Sequence, residues 1–145
     1  MNTRVLIVDD EEEFVQTLSE RLTMRDYDVS TSLSGEDAIQ KLTEYNFDVV
    51  ILDVSMPGIS GIDALREIKR IKPLTEVIML TGHAAVNTAI DGMKLGALDY
   101  LFKPCETEEL IAKINMAQKR KAEQEERIRD AKVKDIISSP MSVLK

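Results

Sequence analysis

Residues 4–13 read RVLIVDDEEE: Val5, Leu6, Ile7 and Val8 run without polar alternation into five consecutive acids. A short, continuously apolar run of this kind is a strand covered on both faces, as in a parallel sheet. The acids that follow are costly there. Two like charges about 4 Å apart repel by roughly 4 kcal/mol at an effective dielectric near 20. Part of the acidic run has an ordinary explanation. Asp10 can cap the helix that follows, with Glu13 completing a capping box, and Glu11 and Glu12 then fall in a first turn that favours negative charge. That leaves Asp9 unexplained.

Outward from this stretch, strands alternate with amphipathic helices. Apolar strand candidates lie at 4–9, 28–32, 48–53, 76–81 and 98–102. The second, "DVSTS", is the weakest and belongs at an edge. The first helix carries Phe14, Leu18 and Leu22. The second carries Ala38, Leu42 and Tyr45 behind a Ser34/Asp37 capping pair. The third carries Ile62, Leu65 and Ile68 behind Ser60/Asp63 and stops before Lys72-Pro73. The fourth spans roughly 85–95 and ends at Gly96. The fifth begins near Glu106 and carries Leu110, Ile111, Ile114 and Ala117. Strand–helix units repeated five times predict an α/β fold, a doubly wound, flavodoxin-like, five-stranded parallel sheet in the order 2-1-3-4-5.

The chain has 145 residues, about one domain, and 43% of them are hydrophobic, enough for a normal core. The net charge of -7, from 19 basic and 26 acidic residues, argues against nucleic-acid binding by the main body. No apolar run approaches the roughly 20 residues of a membrane span. The first residues lack the pattern of a signal peptide. The single cysteine, Cys105, allows no internal disulfide, has no second cysteine nearby for a zinc site, and fits a reducing, cytoplasmic compartment.

In such sheets a site forms beyond the carboxyl ends of the strands, at the switch point between strands 1 and 3. Strand 1 ends in Asp9 and Asp10, strand 3 in Asp53, strand 4 in Thr81 and strand 5 in Lys103. Three converging carboxylates suit a hard dication, and Mg2+ takes few carboxylates while keeping room for a phosphate oxygen. The chain has neither G-x-x-x-x-G-K-[ST] nor G-x-G-x-x-G after strand 1, so a nucleotide cradle is not expected. A metal beside a carboxylate suits phosphoryl transfer to that carboxylate, with Asp53 as acceptor. Lys103 would supply a cation and Thr81 a hydroxyl donor, with backbone N–H groups after Asp53 and Thr81 completing the cradle. The only histidine, His83, reads as an exposed loop residue.

Asp9-Asp10, Asp53 within "LDVSMPGISG", Thr81-Gly82, Tyr100 and Lys103-Pro104 resemble, in order and spacing over residues 3–120, the receiver domain of two-component response regulators. The stretch "MLTGHAAVNTAIDGMKLGALDYLFKP" is similar to receivers of the nitrogen-regulator type. The resemblance implies that Asp53 accepts a phosphoryl group from the phosphohistidine of a sensor histidine kinase or phosphotransfer protein. It implies that Asp10, Asp53 and the Ser55 backbone carbonyl bind Mg2+ directly and that Asp9 acts mainly through water. Thr81 and Lys103 would contact the phosphoryl group, and the backbone at Ser55 and Gly82 would cradle it. Tyr100 would be the switch aromatic, and helix 4, strand 5 and helix 5 the output face, a possible dimer surface. Ser55 and His83 occupy positions that tune dephosphorylation in that family.

Two other readings share some of these features. A haloacid-dehalogenase-type phosphatase also places an Asp after a strand, but expects a second Asp where this chain has Ser55. A binding module that works without phosphorylation would not need an intact rim. On this reading, residues 1–120 form the receiver and 121–145 a helical linker or tail. "QKRKAEQEERIRDAKVK", from Gln118 to Lys134, has no Gly or Pro, so helix 5 is expected to continue to about Ile137 and end at Ser138-Ser139-Pro140. That tail is either a solvated charged helix or a weak coiled coil through Leu110, Ile114, Ala117, Lys121, Gln124, Ile128 and Ala131.

Overall fold

The computed structural model describes residues 2–56, 60–82 and 86–138. His83, the expected helix start at 85 and the expected helix stop at Ser139-Pro140 lie outside these residues. The elements are β1 (Arg4–Val8), α1 (Glu12–Thr23), β2 (Asp28–Ser32), α2 (Gly35–Glu44), β3 (Val49–Asp53), α3 (Gly61–Ile71), β4 (Glu76–Thr81), α4 (Val86–Lys94), β5 (Asp99–Phe102) and α5 (Thr107–Ser138). The strands form one parallel sheet in the order β2-β1-β3-β4-β5, the expected flavodoxin-like topology. β2 is the expected edge strand, and only Ser32 in it is buried.

The apolar strand runs are continuous because both faces of the sheet are covered. Leu6, Val8, Val50, Leu52 and Met79 face α2, α3 and α4, where they meet Leu42, Leu65 and Ile68. Val5, Ile7, Val49, Ile51 and Leu80 face the other way, onto Val15, Leu18 and Leu22 of α1 and Leu110, Ile114 and Ala117 of α5. Each such fully buried side chain contributes about 1.5–3 kcal/mol. Tyr45 departs from the expected pattern. It caps the carboxyl end of α2 in extended conformation and is exposed, because the helix ends at Glu44.

The caps follow the sequence at two helices. Ser34 Oγ accepts from the Asp37 N–H and Ser60 Oγ from the Asp63 N–H, each at 3.1 Å. The chain reverses after α4 at Gly96, whose φ of 107° is open to glycine and strained for other residues. The expected Asp10 cap is not formed. Glu11 is the N-cap of α1 and makes no side-chain cap bond. The cause is Asp9, whose Oδ1 accepts the Glu11 N–H at 3.0 Å and carries the turn one residue further. Asp10 is left exposed at the rim.

α5 has 32 residues and is about 48 Å long at about 1.5 Å per residue. Its first half packs on the sheet. It is then tied to the amino-terminal ends of the strands by Thr3–Gln118 (2.5 Å), Glu76–Arg120 (3.8 Å) and Asp48–Lys121 (3.4 Å). Residues 126–137 are exposed. Among the described residues, no helix is long and apolar enough to cross a membrane.

Candidate functional site

Sheet register assembles the acidic rim. Val8 pairs with Leu52 across β1 and β3, so the next step along each strand brings Asp9 beside Asp53. Thr81 pairs with Phe102 across β4 and β5, which brings Lys103 to the same edge. The Lys103 N–H also donates to the Thr81 carbonyl at 2.9 Å. Asp9 and Asp53 are buried, at 1% and 5% exposure. One carboxylate oxygen each from Asp9, Asp10 and Asp53 lie within 4.8 Å of one another, the convergence expected from the strand ends.

The Lys103 ammonium answers this charge. Its Nζ lies 2.5 Å from Asp9 Oδ2 and 3.8 Å from Asp53 Oδ2. Glu11 Oε1 is 3.4 Å away. Burial acts to lower the Lys103 pKa. The hydrogen bond to Asp9 and the charges of Asp53, Asp9 and Glu11 outweigh it and hold the pKa above its ordinary value. Asp53 is shifted the other way for a carboxylate. Burial pushes its pKa up, and the charges of Asp9 and Asp10 add to that. The Ser55 N–H and Lys103 oppose the rise without cancelling it.

Ser55, Thr81 and Gly82 also fall at this edge, whereas Tyr100 pairs with Met79 within the sheet, two residues short of it. Ser55 donates its backbone N–H to Asp53 Oδ1 at 3.0 Å. Thr81 is fully buried, and its hydroxyl donates to the Gly82 carbonyl at 3.1 Å. Tyr100 is half-buried and packs edge-on against Phe102, ring centroids 5.5 Å apart. Two neighbours of Lys103 were not among the predicted site residues. In the sequence the helix dipole alone accounts for Glu11. The spacing places Phe14 on the core face of α1, yet its ring centroid lies 4.5 Å from the Lys103 Nζ. The apolar spacing that marks a core stripe carries no signal for a ring lying under a cation.

A doubly wound sheet with this acidic rim has recognised relatives. The family profile described as "Response regulator receiver domain" matches residues 5–115. This chain belongs to the response regulator receiver domain family. The receiver resembles a solved response regulator receiver domain protein from Clostridium thermocellum. Identity is 41% and the TM-score 0.80, covering 83% of this chain and 97% of that one. The receiver domain of NtrX from Brucella abortus is 27% identical with a TM-score of 0.76, covering 79% of this chain and 98% of that one. This bears out the nitrogen-regulator resemblance. The transcriptional regulatory protein ZraR of Escherichia coli is 37% identical over 116 residues, which is 80% of this chain and 26% of ZraR. The receiver spans about half the length of other curated relatives that it matches.

Proposed function

We propose that this receiver accepts a phosphoryl group on Asp53 from the phosphohistidine of a sensor histidine kinase or phosphotransfer protein and acts as a switch rather than as an enzyme on other substrates. One observation carries the reading: a buried carboxylate at the end of β3 lies beside two further aspartates and 3.8 Å from an ammonium. In the transfer, a carboxylate oxygen of Asp53 attacks phosphorus. The P–N bond to the donor imidazole breaks, and its electron pair leaves with the imidazole nitrogen, which is protonated. The product is an acyl phosphate on Asp53.

Each neighbour has a part in that step. The Ser55 N–H, now donating to Asp53 Oδ1, and the Gly82 N–H would donate to phosphoryl oxygens as a backbone cradle. Lys103 stays charged and would pair with the incoming phosphoryl group. Thr81 would exchange its bond to the Gly82 carbonyl for one to a phosphoryl oxygen, and Tyr100 would turn inward as it does. α4, β5 and α5 would carry the change outward, to a partner or a second copy of the chain.

The residues present fit a magnesium ion. Burial drives the rise of the Asp53 pKa, and the charges of Asp9 and Asp10 that add to it are the kind a dication relieves; the donors are all hard oxygens. Asp10, Asp53 and the Ser55 carbonyl would hold it, with Asp9 acting through water. When bound, it would neutralise charge on the carboxylates and on phosphoryl oxygens. We assign residues 1–120 to the receiver body and 121–145 to a linker or tail with marginal pairing, helical as far as Ser138, beyond which it lies outside the described residues. The test is labelling by acetyl phosphate with and without Mg2+. Asp53→Ala should be unlabelled, and Lys103→Ala should keep Mg2+ binding but respond poorly. Equal labelling of Asp53→Ala and the wild type would move the acceptor elsewhere.

A further inference from the structure

Charge alone does not fix where Lys103 sits. Its Nζ is drawn by Asp9, Asp53 and Glu11, at 2.5, 3.8 and 3.4 Å. The Glu11 side chain is 66% exposed, so water screens that pair and leaves it little weight. A lysine stem is flexible and its ammonium is a point charge with no preferred direction. Asp9 and Asp53 therefore compete for it, and the nearer, Asp9, is not the acceptor.

Phe14 supplies what the carboxylates do not. It is the third residue of α1, half-buried, and packed against the cluster that contains Val15, Leu18 and Leu110. Its ring is held by the core rather than by solvent. The Lys103 Nζ lies 4.5 Å from the ring centroid, inside the range of about 6 Å over which an aromatic face attracts a cation. A core role alone asks only for an apolar side chain of this size. It does not account for the ring lying under the ammonium.

We propose that Phe14 is a positioning residue for Lys103, its ring face holding the ammonium at the rim within reach of Asp53. The inference rests on the acceptor reading above. Phe14 touches none of the reacting atoms, so it acts only through Lys103.

The test compares the wild type with Phe14→Leu, Phe14→Met and Phe14→Tyr in the full chain. The first readout is the NMR shift of the Lys103 ε-methylene protons, which a ring face moves upfield. The upfield shift is expected in the wild type and Phe14→Tyr and should be lost in both aliphatic variants. The second readout is the initial rate of Asp53 labelling by acetyl phosphate with Mg2+. The aliphatic variants should be slower by about three- to tenfold, the range a partly desolvated cation–π contact supports, and Phe14→Tyr should match the wild type. In a Lys103→Ala background the same Phe14 variants should cause no further loss. A merely structural role would slow labelling equally in both backgrounds, and that result overturns the proposal. So does an upfield shift that survives in Phe14→Leu and Phe14→Met. A labelled wild type with unslowed aliphatic variants sinks the Phe14 role alone. A wild type that takes no label sinks the acceptor reading and this role together.

Discussion

Replacing Gly61 with alanine should damage the chain more than the same change at Gly92 or Gly82. Gly61 opens α3 and lies against the turn that follows Asp53. A Cβ built on it would stand 2.3 Å from Val54 Cα, 2.8 Å from the Asp53 carbonyl oxygen and 2.9 Å from Val54 C. All three are backbone atoms and none can swing aside. Restoring an ordinary contact of about 3.5 Å requires α3 and the end of β3 to part by about 1.2 Å. Such overpacking costs about 3 kcal/mol, at the upper end of its usual range. Alanine returns at most about 1 kcal/mol through its better helix propensity. The net loss is about 2 kcal/mol, or roughly 8 °C in melting temperature for a domain of this size. At Gly92 the Cβ would meet Met79 Sδ at 2.3 Å and Cε at 2.6 Å, the end of an unbranched side chain that can move. Repacking and helix propensity then offset to within about 1 kcal/mol. At Gly82 nothing among the described residues lies within 4 Å of the added Cβ. Urea denaturation followed by circular dichroism would rank the three variants. Gly61→Ala as stable as Gly92→Ala would refute the close approach of α3 to the Asp53–Val54 backbone.

Three further outcomes can be checked on the same chain. Asp53→Asn should stabilise the metal-free protein at neutral pH, because the raised Asp53 pKa makes its ionised form a cost to folding. That cost is absent below the unfolded pKa of about 3.9 and complete once the pH passes the raised folded value, so the gain should vanish in acid. Urea midpoints across pH would show it, and a gain independent of pH would contradict it. Ser60→Ala removes the oxygen that accepts the Asp63 N–H and should cost about 1 kcal/mol in the same assay, whereas no loss would leave the cap without energetic weight. Ending the chain at residue 120 should remove the far-ultraviolet helical signal of 121–138, and an unchanged signal would mean that the extension is not helical in solution.

The sheet order was legible because both faces of β1, β3 and β4 are covered, and strands of that kind leave unbroken apolar runs in the sequence. The site was legible because parallel register turns strand ends into neighbours. Asp9 and Asp53 meet since Val8 pairs with Leu52, a consequence of topology that needs no side-chain detail. The first cap was misplaced because several acids in a row can all terminate a helix. Asp9 settles the choice through its bond to the Glu11 N–H, and spacing does not reveal which acid turns back on the chain. Gly92 carries no packing signal in the sequence. Its position against Met79 gives it a packing role that depends on how α4 lies on β4. Phe14 was hidden for a similar reason, since one side chain both packs on the core and underlies Lys103.

The central claim is that Asp53 carries the phosphoryl group. Borohydride reduces an acyl phosphate to an alcohol, so trapping after exposure to acetyl phosphate and Mg2+ should convert Asp53 to homoserine. Peptide mass spectrometry would read the position directly. The account predicts homoserine at residue 53 in the wild type and at no position in Asp53→Ala. Homoserine at Asp9 or Asp10, or a labelled protein with an intact Asp53, would contradict it.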